Sequence, residues 1–172
     1  MIRVGIAGIG FIAEEYIKLI TAGRIQNAEV RALSSRNRQH MEQVREKYQL
    51  EAALFTDYEQ MLDSGLIDAV MICTPHFHHP GMAIKAIERG IHTMIEKPVG
   101  IFPEELNALE ACLRTHPEVK AGVLYCRRTN PIFLQIKEFL DSGALGQLKR
   151  VTWIITNASV YRTQAYYNSA TW

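Results

Sequence analysis

Cysteine is scarce in this 172-residue sequence, which contains only Cys73, Cys112 and Cys126. Their number is odd and no two of them form a Cys-x-x-Cys pair, so neither a disulfide framework nor a zinc site is predicted. Reduced thiols are typical of the cytosol. We therefore expect a cytoplasmic protein.

The sequence also lacks a strong charge of either sign and a long apolar run. Nineteen Lys and Arg residues stand against eighteen Asp and Glu, a formal net charge of +1. This balance gives no reason to expect nucleic acid or an anionic membrane as a partner. No stretch approaches the roughly twenty apolar residues of a membrane span, and the glycine-interrupted N-terminus does not resemble a signal peptide. Because 48% of the residues are apolar, we expect a globular chain.

A glycine-rich turn near the N-terminus is the most informative feature that is present. Residues 2–7 form a short apolar run typical of a buried strand, and residues 11–22 carry helical spacing. Gly8, Gly10 and Ala13 thus form a G-x-G-x-x-A pattern between a strand and a helix, which is the context of a dinucleotide-binding turn. The pattern predicts a tight turn at the first glycine, close approach of a pyrophosphate at the second and close helix packing at the alanine.

The helix that follows this turn adds a second reason to expect an anion. The free backbone N–H groups at its start, near Phe11 and Ile12, present partial positive charge to a phosphate. The alternative is a glycine turn with a structural role only.

The end of the second predicted strand, residues 28–33, bears on the choice of dinucleotide. An acid there favours NAD, whereas an arginine accommodates the 2′-phosphate of NADP. Here Ser35 and Arg36 follow the strand, and hydroxyl and guanidinium groups suit a phosphate. We therefore predict NADP, with NAD as the alternative if Arg36 is an ordinary polar residue at the start of the next helix.

Strands and helices alternate through about the first 125 residues, with further strands predicted over 53–55, 67–73, 91–95 and 119–125. This alternation predicts an α/β fold, a doubly wound parallel sheet with helices on both faces. A helix over 131–140 and a β-branched strand over 148–156 follow. The bare strand supports a rival hypothesis, a non-catalytic cofactor-binding or interaction module that associates through this strand.

Two loops at predicted strand ends carry groups capable of chemistry. Lys97 lies between an apolar strand and a proline, where it can donate a hydrogen bond to a substrate oxygen or transfer a proton, unless it is a surface lysine. His76, His78 and His79 suggest a metal hydrolase as a third hypothesis, but no further ligand stands at a recognisable spacing. Hydrogen bonding of a histidine to cofactor or substrate is the preferred interpretation, and no metal is predicted.

Taken in order, the motifs of this chain resemble the Gfo/Idh/MocA family of oxidoreductases, relatives of glucose–fructose oxidoreductase and inositol dehydrogenase. The resemblance extends over nearly the whole length. Its motifs are Gly8-x-Gly10-x-x-Ala13, Ser35-Arg36, Ile67-Asp68-Ala69-Val70 before Thr74-Pro75, His79-x-x-x-Ala83, Gly90-Ile91-His92, Glu96-Lys97-Pro98, Arg128-x-x-Pro131 and Gly143-x-x-Gly146.

The resemblance implies a Rossmann domain that binds NAD(P) over residues 1–124 and the start of a C-terminal substrate and oligomerisation domain over 125–172. It implies hydride transfer to or from a sugar, polyol or related hydroxy compound, with Lys97 as the catalytic residue, and a homo-oligomer. The cofactor-binding residues expected on this basis and from the turn are Gly8, Gly10, Phe11, Ile12, Ser35, Arg36, Cys73, Thr74, Pro75, His76, His79, Glu96, Lys97 and Arg128.

Two departures from the family pattern affect these expectations. His76 stands where the family often has asparagine after Thr-Pro. The sequence also ends at Trp172, before the family's glycine-rich stretch and the helix with its acid–base histidine. We therefore expect a truncated second domain, and a chain that binds cofactor without turning over substrate.

Overall fold

A computed structural model describes residues 1–154 of the chain. Its internal contacts divide the chain between Leu124 and Tyr125, giving the units Met1–Leu124 and Tyr125–Trp172. The first unit is an alternation of strands and helices, and the second is described over residues 125–154.

A parallel sheet forms the centre of the first unit. Its described strands are β1 Ile2–Ala7, β2 Ala28–Ser34, β3 Ala53–Phe55, β4 Ala69–Ile72, β5 His92–Ile95 and β6 Ala121–Val123. They are ordered β3-β2-β1-β4-β5-β6, and all neighbouring pairs are parallel. This is the strand order of a doubly wound Rossmann sheet. The predicted fold class is therefore confirmed for this unit.

Helices follow the strands along the chain: α1 Phe11–Thr21, α2 Arg38–Lys47, α3 Tyr58–Leu62, α4 His79–Ile87 and α5 Pro103–Thr115. Two of them begin at a capping side chain, because unpaired N–H groups at a helix start need an acceptor. Asn37 accepts from the His40 N–H at 3.0 Å, and Asp57 accepts from the Gln60 N–H at 2.9 Å. No helix within residues 1–154 is both long and apolar enough to cross a membrane.

The core lies on both faces of the sheet, as helices on both sides require. On one face, the apolar sides of α1 and α2 pack against β1 and β2 through Ile6, Ile17 and Met41, all of which are fully buried. On the other face, α3 and α4 pack against β4 through residues that include Met61 and Ile87. Helices α1 and α4, which follow the adjacent strands β1 and β4, therefore lie on opposite faces.

The second unit contains one described α-helix, α6 Pro131–Asp141, over residues 125–154. Asn130 caps its start by accepting from the Ile132 N–H at 3.0 Å, and Gly143 follows its end with φ +73°. The predicted helix is thus confirmed. The predicted strand over 148–156 is wrong over 148–154, which form no strand, and its last two residues lie outside the described part. A strand needs a hydrogen-bonded neighbour, and residues 125–154 contain no other strand.

An ion pair joins β1 and β4 at the end of the sheet where these strands begin. The Arg3 guanidinium donates to Asp68 at 2.6 Å, and the Arg3 backbone N–H donates to the same carboxylate at 2.9 Å. Hydrogen bonding by Arg3 lowers the pKa of Asp68 from 3.8 to about 2. Because the carboxylate is 40% exposed, solvent screening limits its contribution to stability.

We expect this pair to make stability depend on pH in one narrow range. A carboxylate whose pKa is lower in the folded state stabilises the fold above its unfolded pKa and loses that contribution as pH falls. The free energy of unfolding should therefore fall between about pH 4 and pH 2, and Asp68→Asn should flatten this part of the profile. Urea unfolding of both proteins across this range measures the difference. Parallel profiles would contradict the prediction.

Candidate functional site

A cavity of about 740 Å³ lies at the carboxyl ends of the strands. Because α1 and α4 leave β1 and β4 on opposite faces, a crevice opens between these two strands, where doubly wound sheets bind ligands. The cavity is lined by the turns after β1, β2, β3 and β4 and by one side of α4. The lining residues are Ala7, Gly8, Ile9, Gly10, Ser34, Ser35, Arg36, Thr56, Asp57, Tyr58, Glu59, Cys73, Thr74, Pro75, Phe77, His78, Gly81, Met82 and Lys85.

Gly8 forms the tight turn that its position in the pattern predicts. Its φ is +84°, and a Cβ atom would lie 2.7 Å from the Thr74 nitrogen and 2.8 Å from the Cys73 carbonyl carbon. Its N–H donates to the Ser34 carbonyl at 2.8 Å. Glycine is required here because the backbone is left-handed and the turn after the neighbouring strand β4 approaches within contact distance.

Gly10 faces open space instead. Its φ is −115°, and no atom lies within 4 Å of the position that a Cβ would take. Within residues 1–154 no side chain caps the start of α1, so the first N–H groups of this helix remain available to an anion. Ala13, one turn further, is fully buried, as close packing of the helix on the sheet requires.

Glu14 is the acidic residue in the first turn of α1, and it is paired with another helix. Its carboxylate accepts from Lys47 at 2.7 Å and from the Tyr48 hydroxyl at 3.2 Å. The hydrogen bond from Lys47 is the main cause that lowers the pKa of Glu14. The Lys47 ammonium balances its negative charge, which reduces repulsion toward an anion bound at the helix start.

The residues after β2 bring polar groups to the same cavity. The Ser35 N–H donates to the Phe55 carbonyl at 3.1 Å, which fixes the backbone, and the Ser35 hydroxyl accepts from the Asn37 N–H at 3.3 Å. Arg36 is exposed, and its guanidinium makes no hydrogen bond or ion pair with residues 1–154. It is therefore available to an anionic ligand.

The turn after β4 contributes Cys73, Thr74 and Pro75 to the cavity lining. Burial raises the pKa of Cys73 to about 12, with a smaller contribution from the charge of Glu96. The thiol is therefore protonated at neutral pH and is no nucleophile. The Thr74 hydroxyl lies 3.3 Å from the Met82 sulfur, which links the turn to α4.

His79 does not line the cavity, although the sequence predicts that it contacts the cofactor. Its ring is 1% exposed, with Nδ1 2.7 Å from the Pro98 carbonyl and Nε2 2.7 Å from the Thr74 carbonyl. Each ring nitrogen thus lies within hydrogen-bond distance of a backbone oxygen from a different loop, and a neutral imidazole, with one N–H, donates to one of the two. His76 is half-buried and also lies outside the lining, whereas the adjacent Phe77 and His78 belong to it.

The Glu96–Pro98 segment lies beyond β5 and outside the cavity lining. Glu96 is 8% exposed; it accepts from the Tyr16 hydroxyl at Oε1 and from the Lys97 N–H at Oε2, at 3.0 Å. The Lys97 side chain is exposed and makes no hydrogen bond or ion pair with residues 1–154. A buried carboxylate and a free ammonium thus stand next to each other in sequence.

Three further predicted residues do not line this cavity. Phe11 and Ile12 begin α1 and have 83% and 37% of their surfaces exposed. Arg128 belongs to the second unit, where it lines a separate cavity of about 820 Å³ with Arg127, Phe133, Leu134, Lys137 and Trp153.

The sequence reasoning missed several lining residues. Thr56 and Asp57 follow β3, and the rule that ligands bind beyond strand ends, applied to this strand, would have indicated them. Met82 and Lys85 had no comparable signal, because the face of α4 that meets the cavity depends on how the helix packs.

No group of three or more His, Cys, Asp or Glu side chains is arranged to hold a metal ion within residues 1–154. The three neighbouring histidines do not converge on one point, since the His79 ring contacts two carbonyl oxygens.

The sheet order, the glycine turn at the crevice and the uncapped helix start together define a dinucleotide-binding protein of the Rossmann class. The model of the protein family described as "Oxidoreductase family, NAD-binding Rossmann fold" matches residues 2–124 of this chain. The chain belongs to this family, Gfo/Idh/MocA, and the predicted resemblance is confirmed.

Curated relatives agree with this assignment. "Uncharacterized oxidoreductase YrbE" of Bacillus subtilis is 31% identical over 145 residues, covering 84% of this chain and 41% of that protein. "Inositol 2-dehydrogenase" of Salmonella typhimurium is 24% identical over 172 residues, covering 98% of this chain and 51% of that protein. The chain thus spans about half the length, or less, of these curated relatives.

Solved structures share the fold. Scyllo-inositol dehydrogenase from Lactobacillus casei, with bound NAD(H) and scyllo-inositol, has a TM-score of 0.79 at 26% identity, covering 85% of this chain and 42% of that chain. Myo-inositol dehydrogenase from the same organism, in complex with NAD(H) and myo-inositol, has a TM-score of 0.80 at 25% identity, with coverages of 85% and 43%.

Proposed function

We propose that the first unit binds a nicotinamide adenine dinucleotide in the cavity of about 740 Å³ and is the cofactor-binding part of a dehydrogenase or reductase. The observation that carries the proposal is the glycine turn at the crevice between β1 and β4. There Gly10 leaves open space in front of the uncapped start of α1. These groups fit a pyrophosphate, which is an anion that needs backbone donors at close range.

Three parts of the site have a role in this proposal. The Gly10 backbone in the lining and the first N–H groups of α1, at Phe11 and Ile12, hold the pyrophosphate. Ser35 and Arg36 hold the adenosine ribose. Cys73, Thr74 and Pro75 supply the opposite side of the crevice with an uncharged surface, since the Cys73 thiol is protonated. Contacts with the cofactor stay predictions for the residues outside the lining, which are His76, His79, Glu96, Lys97 and Arg128.

The bound dinucleotide would supply hydride chemistry, and the protein residues would supply binding and orientation. We propose that the Lys97 ammonium donates a hydrogen bond to the reacting oxygen of the substrate. Its freedom from other partners in residues 1–154 suits this role. A donor at the carbonyl or hydroxyl oxygen stabilises the charge that develops there as hydride moves to or from the adjacent carbon.

The substrate class is proposed from the relatives. Several relatives and solved structures are inositol dehydrogenases by name, and inositols are polyols. We propose a sugar, polyol or related hydroxy compound for the whole protein, with residues 125–172 as part of its substrate domain. Lack of turnover by this chain alone and assembly as a homo-oligomer remain predictions.

The form of the dinucleotide is the finer part of the proposal. The family description and the solved NAD(H) complexes favour NAD. In this chain, however, the residues directly after β2 are Ser35 and Arg36, with no carboxylate, and the Arg36 guanidinium has no partner within residues 1–154. A free guanidinium at this place favours a 2′-phosphate. We propose NADP as the preferred form.

Titration with NADPH and NADH, followed by nicotinamide fluorescence, tests both the dinucleotide site and the preference for NADP. We expect NADPH to bind about tenfold more tightly or better, because a charge-assisted hydrogen bond contributes roughly 1.5–3 kcal/mol. Arg36→Ala should remove this preference and leave NADH binding nearly unchanged. Arg38→Ala is the matched control, since Arg38 pairs with Glu42 at 3.1 Å and does not line the cavity.

Two results would contradict the proposal at different levels. Equal binding of the two forms would retain the dinucleotide site and refute the preference for NADP. Binding of neither form to the folded chain would refute the dinucleotide site in this chain.

A further inference from the structure

We infer that Tyr16 is a positioning residue that acts on Lys97 through Glu96. Tyr16 lies on α1, the helix that begins at the glycine turn, and Glu96 follows β5 eighty residues later. The role of Lys97 rests on the proposed function. The link between the three residues rests on their geometry alone.

The Glu96 carboxylate is held at both oxygens. The Tyr16 hydroxyl donates to Oε1, and the Lys97 backbone N–H donates to Oε2 at 3.0 Å. Glu96 is 8% exposed, so water cannot easily replace a donor that is lost. Loss of the Tyr16 hydroxyl would therefore free this carboxylate to turn, and the turn would remove the acceptor of the Lys97 N–H.

A second contact holds the other side of Lys97. The Pro98 carbonyl lies 2.7 Å from Nδ1 of the buried His79 ring, and Nε2 of that ring lies 2.7 Å from the Thr74 carbonyl. The residues before and after Lys97 are therefore each tied to a different helix. Lys97 itself remains exposed, with its ammonium unpaired within residues 1–154.

This arrangement couples the lysine to the cofactor-binding elements. Through Tyr16, the residue before Lys97 is tied to α1, whose start is proposed to hold the pyrophosphate. Through His79, the residue after it is tied to the turn at Thr74, which lines the cavity. A fixed backbone restricts the positions of a long, flexible side chain, and catalytic groups need such restriction.

Tyr16→Phe tests the inference because it removes the hydroxyl and keeps the ring. Amide hydrogen exchange of the free chain, followed by NMR, should show exchange at Lys97 that is about tenfold faster or more, without a general increase. Tyr48→Phe is the matched control: it also removes a hydroxyl that donates to a glutamate, at 3.2 Å from Glu14, and it does not line the cavity. The Lys97 amide should be unaffected in this control.

The NMR signal of the Lys97 side chain gives a second measurement, which would not change if Tyr16 had a structural role only. In the ¹³C-lysine-labelled chain, NADPH should shift the Lys97 Cε signal to one new position in the wild type and the Tyr48→Phe variant. In Tyr16→Phe this shift should be smaller or split over several positions.

Unchanged exchange at Lys97 in Tyr16→Phe would overturn the inference, as would faster exchange spread evenly over the first unit. An undiminished Cε shift in that variant would do so as well. Failure of the wild type to bind either NADPH or NADH would refute the proposed function. The exchange measurement needs no dinucleotide. It therefore tests the link from Tyr16 through Glu96 to Lys97 even if the proposed function is wrong.

Discussion

Gly8→Ala is expected to lower the free energy of unfolding by about 3 kcal/mol or more. The φ of +84° places the residue where a side chain is strained, at a cost of roughly 1–3 kcal/mol. The new Cβ would also lie 2.7–2.8 Å from the backbone of Cys73 and Thr74, and such overpacking costs a further 1–3 kcal/mol or so. Urea unfolding, followed by circular dichroism, measures the loss.

Gly10→Ala is the matched control for that measurement. It makes the same chemical change two residues away, at a site with negative φ and no atom within 4 Å of the added Cβ. We expect its free energy of unfolding to lie within about 0.5 kcal/mol of the wild type, as for substitutions away from packed features. Equal free energies of unfolding for Gly8→Ala and the wild type would contradict the first prediction, because the turn would then accommodate the methyl group at no cost.

Gly10→Ala should have its large effect on ligand binding. In the proposed site the backbone at Gly10 must come close to the pyrophosphate, and a methyl group there would occupy that space. We expect the affinity for NADPH to fall about 100-fold, which corresponds to about 2.7 kcal/mol. Fluorescence titration of the folded variant measures the change.

Ala22→Gly serves as a control for that titration, because this residue lies at the far end of α1 and outside the cavity lining. Wild-type affinity in Gly10→Ala would contradict the placement of the pyrophosphate at this turn. Loss of both affinity and stability in Gly10→Ala would contradict the assignment of separate roles to Gly8 and Gly10.

Local patterns in the sequence were sufficient to predict the strands, the helices and the sheet type of the first unit. The alternation of strands and helices predicted the doubly wound sheet, because buried parallel strands and one-sided helices differ in their apolar spacing. The helix caps at Asn37 and Asp57 are also local features, because each side-chain acceptor and its N–H donor lie three residues apart in sequence. Gly8 was recognisable because few other residues adopt its backbone conformation.

Predictions that depended on distant partners were less successful. The β-branched residues from 148 onward predicted a strand, but a strand requires a neighbour, and residues 148–154 have none in the described part of their unit. The contact of His79 with the cofactor, which the resemblance implies, stays a prediction. No local pattern indicated that its ring is buried between the carbonyl oxygens of Thr74 and Pro98.

The sequence by itself therefore determined the parallel sheet, the glycine turn and its place between β1 and α1, since these follow from short-range spacing and from the conformational freedom of glycine. Only the tertiary structure decided that Tyr16 meets Glu96, that His79 joins two loops and that Lys85 reaches the cavity. These contacts join residues that the packing of helices on the sheet brings together. The local spacing of residues along the sequence does not determine that packing.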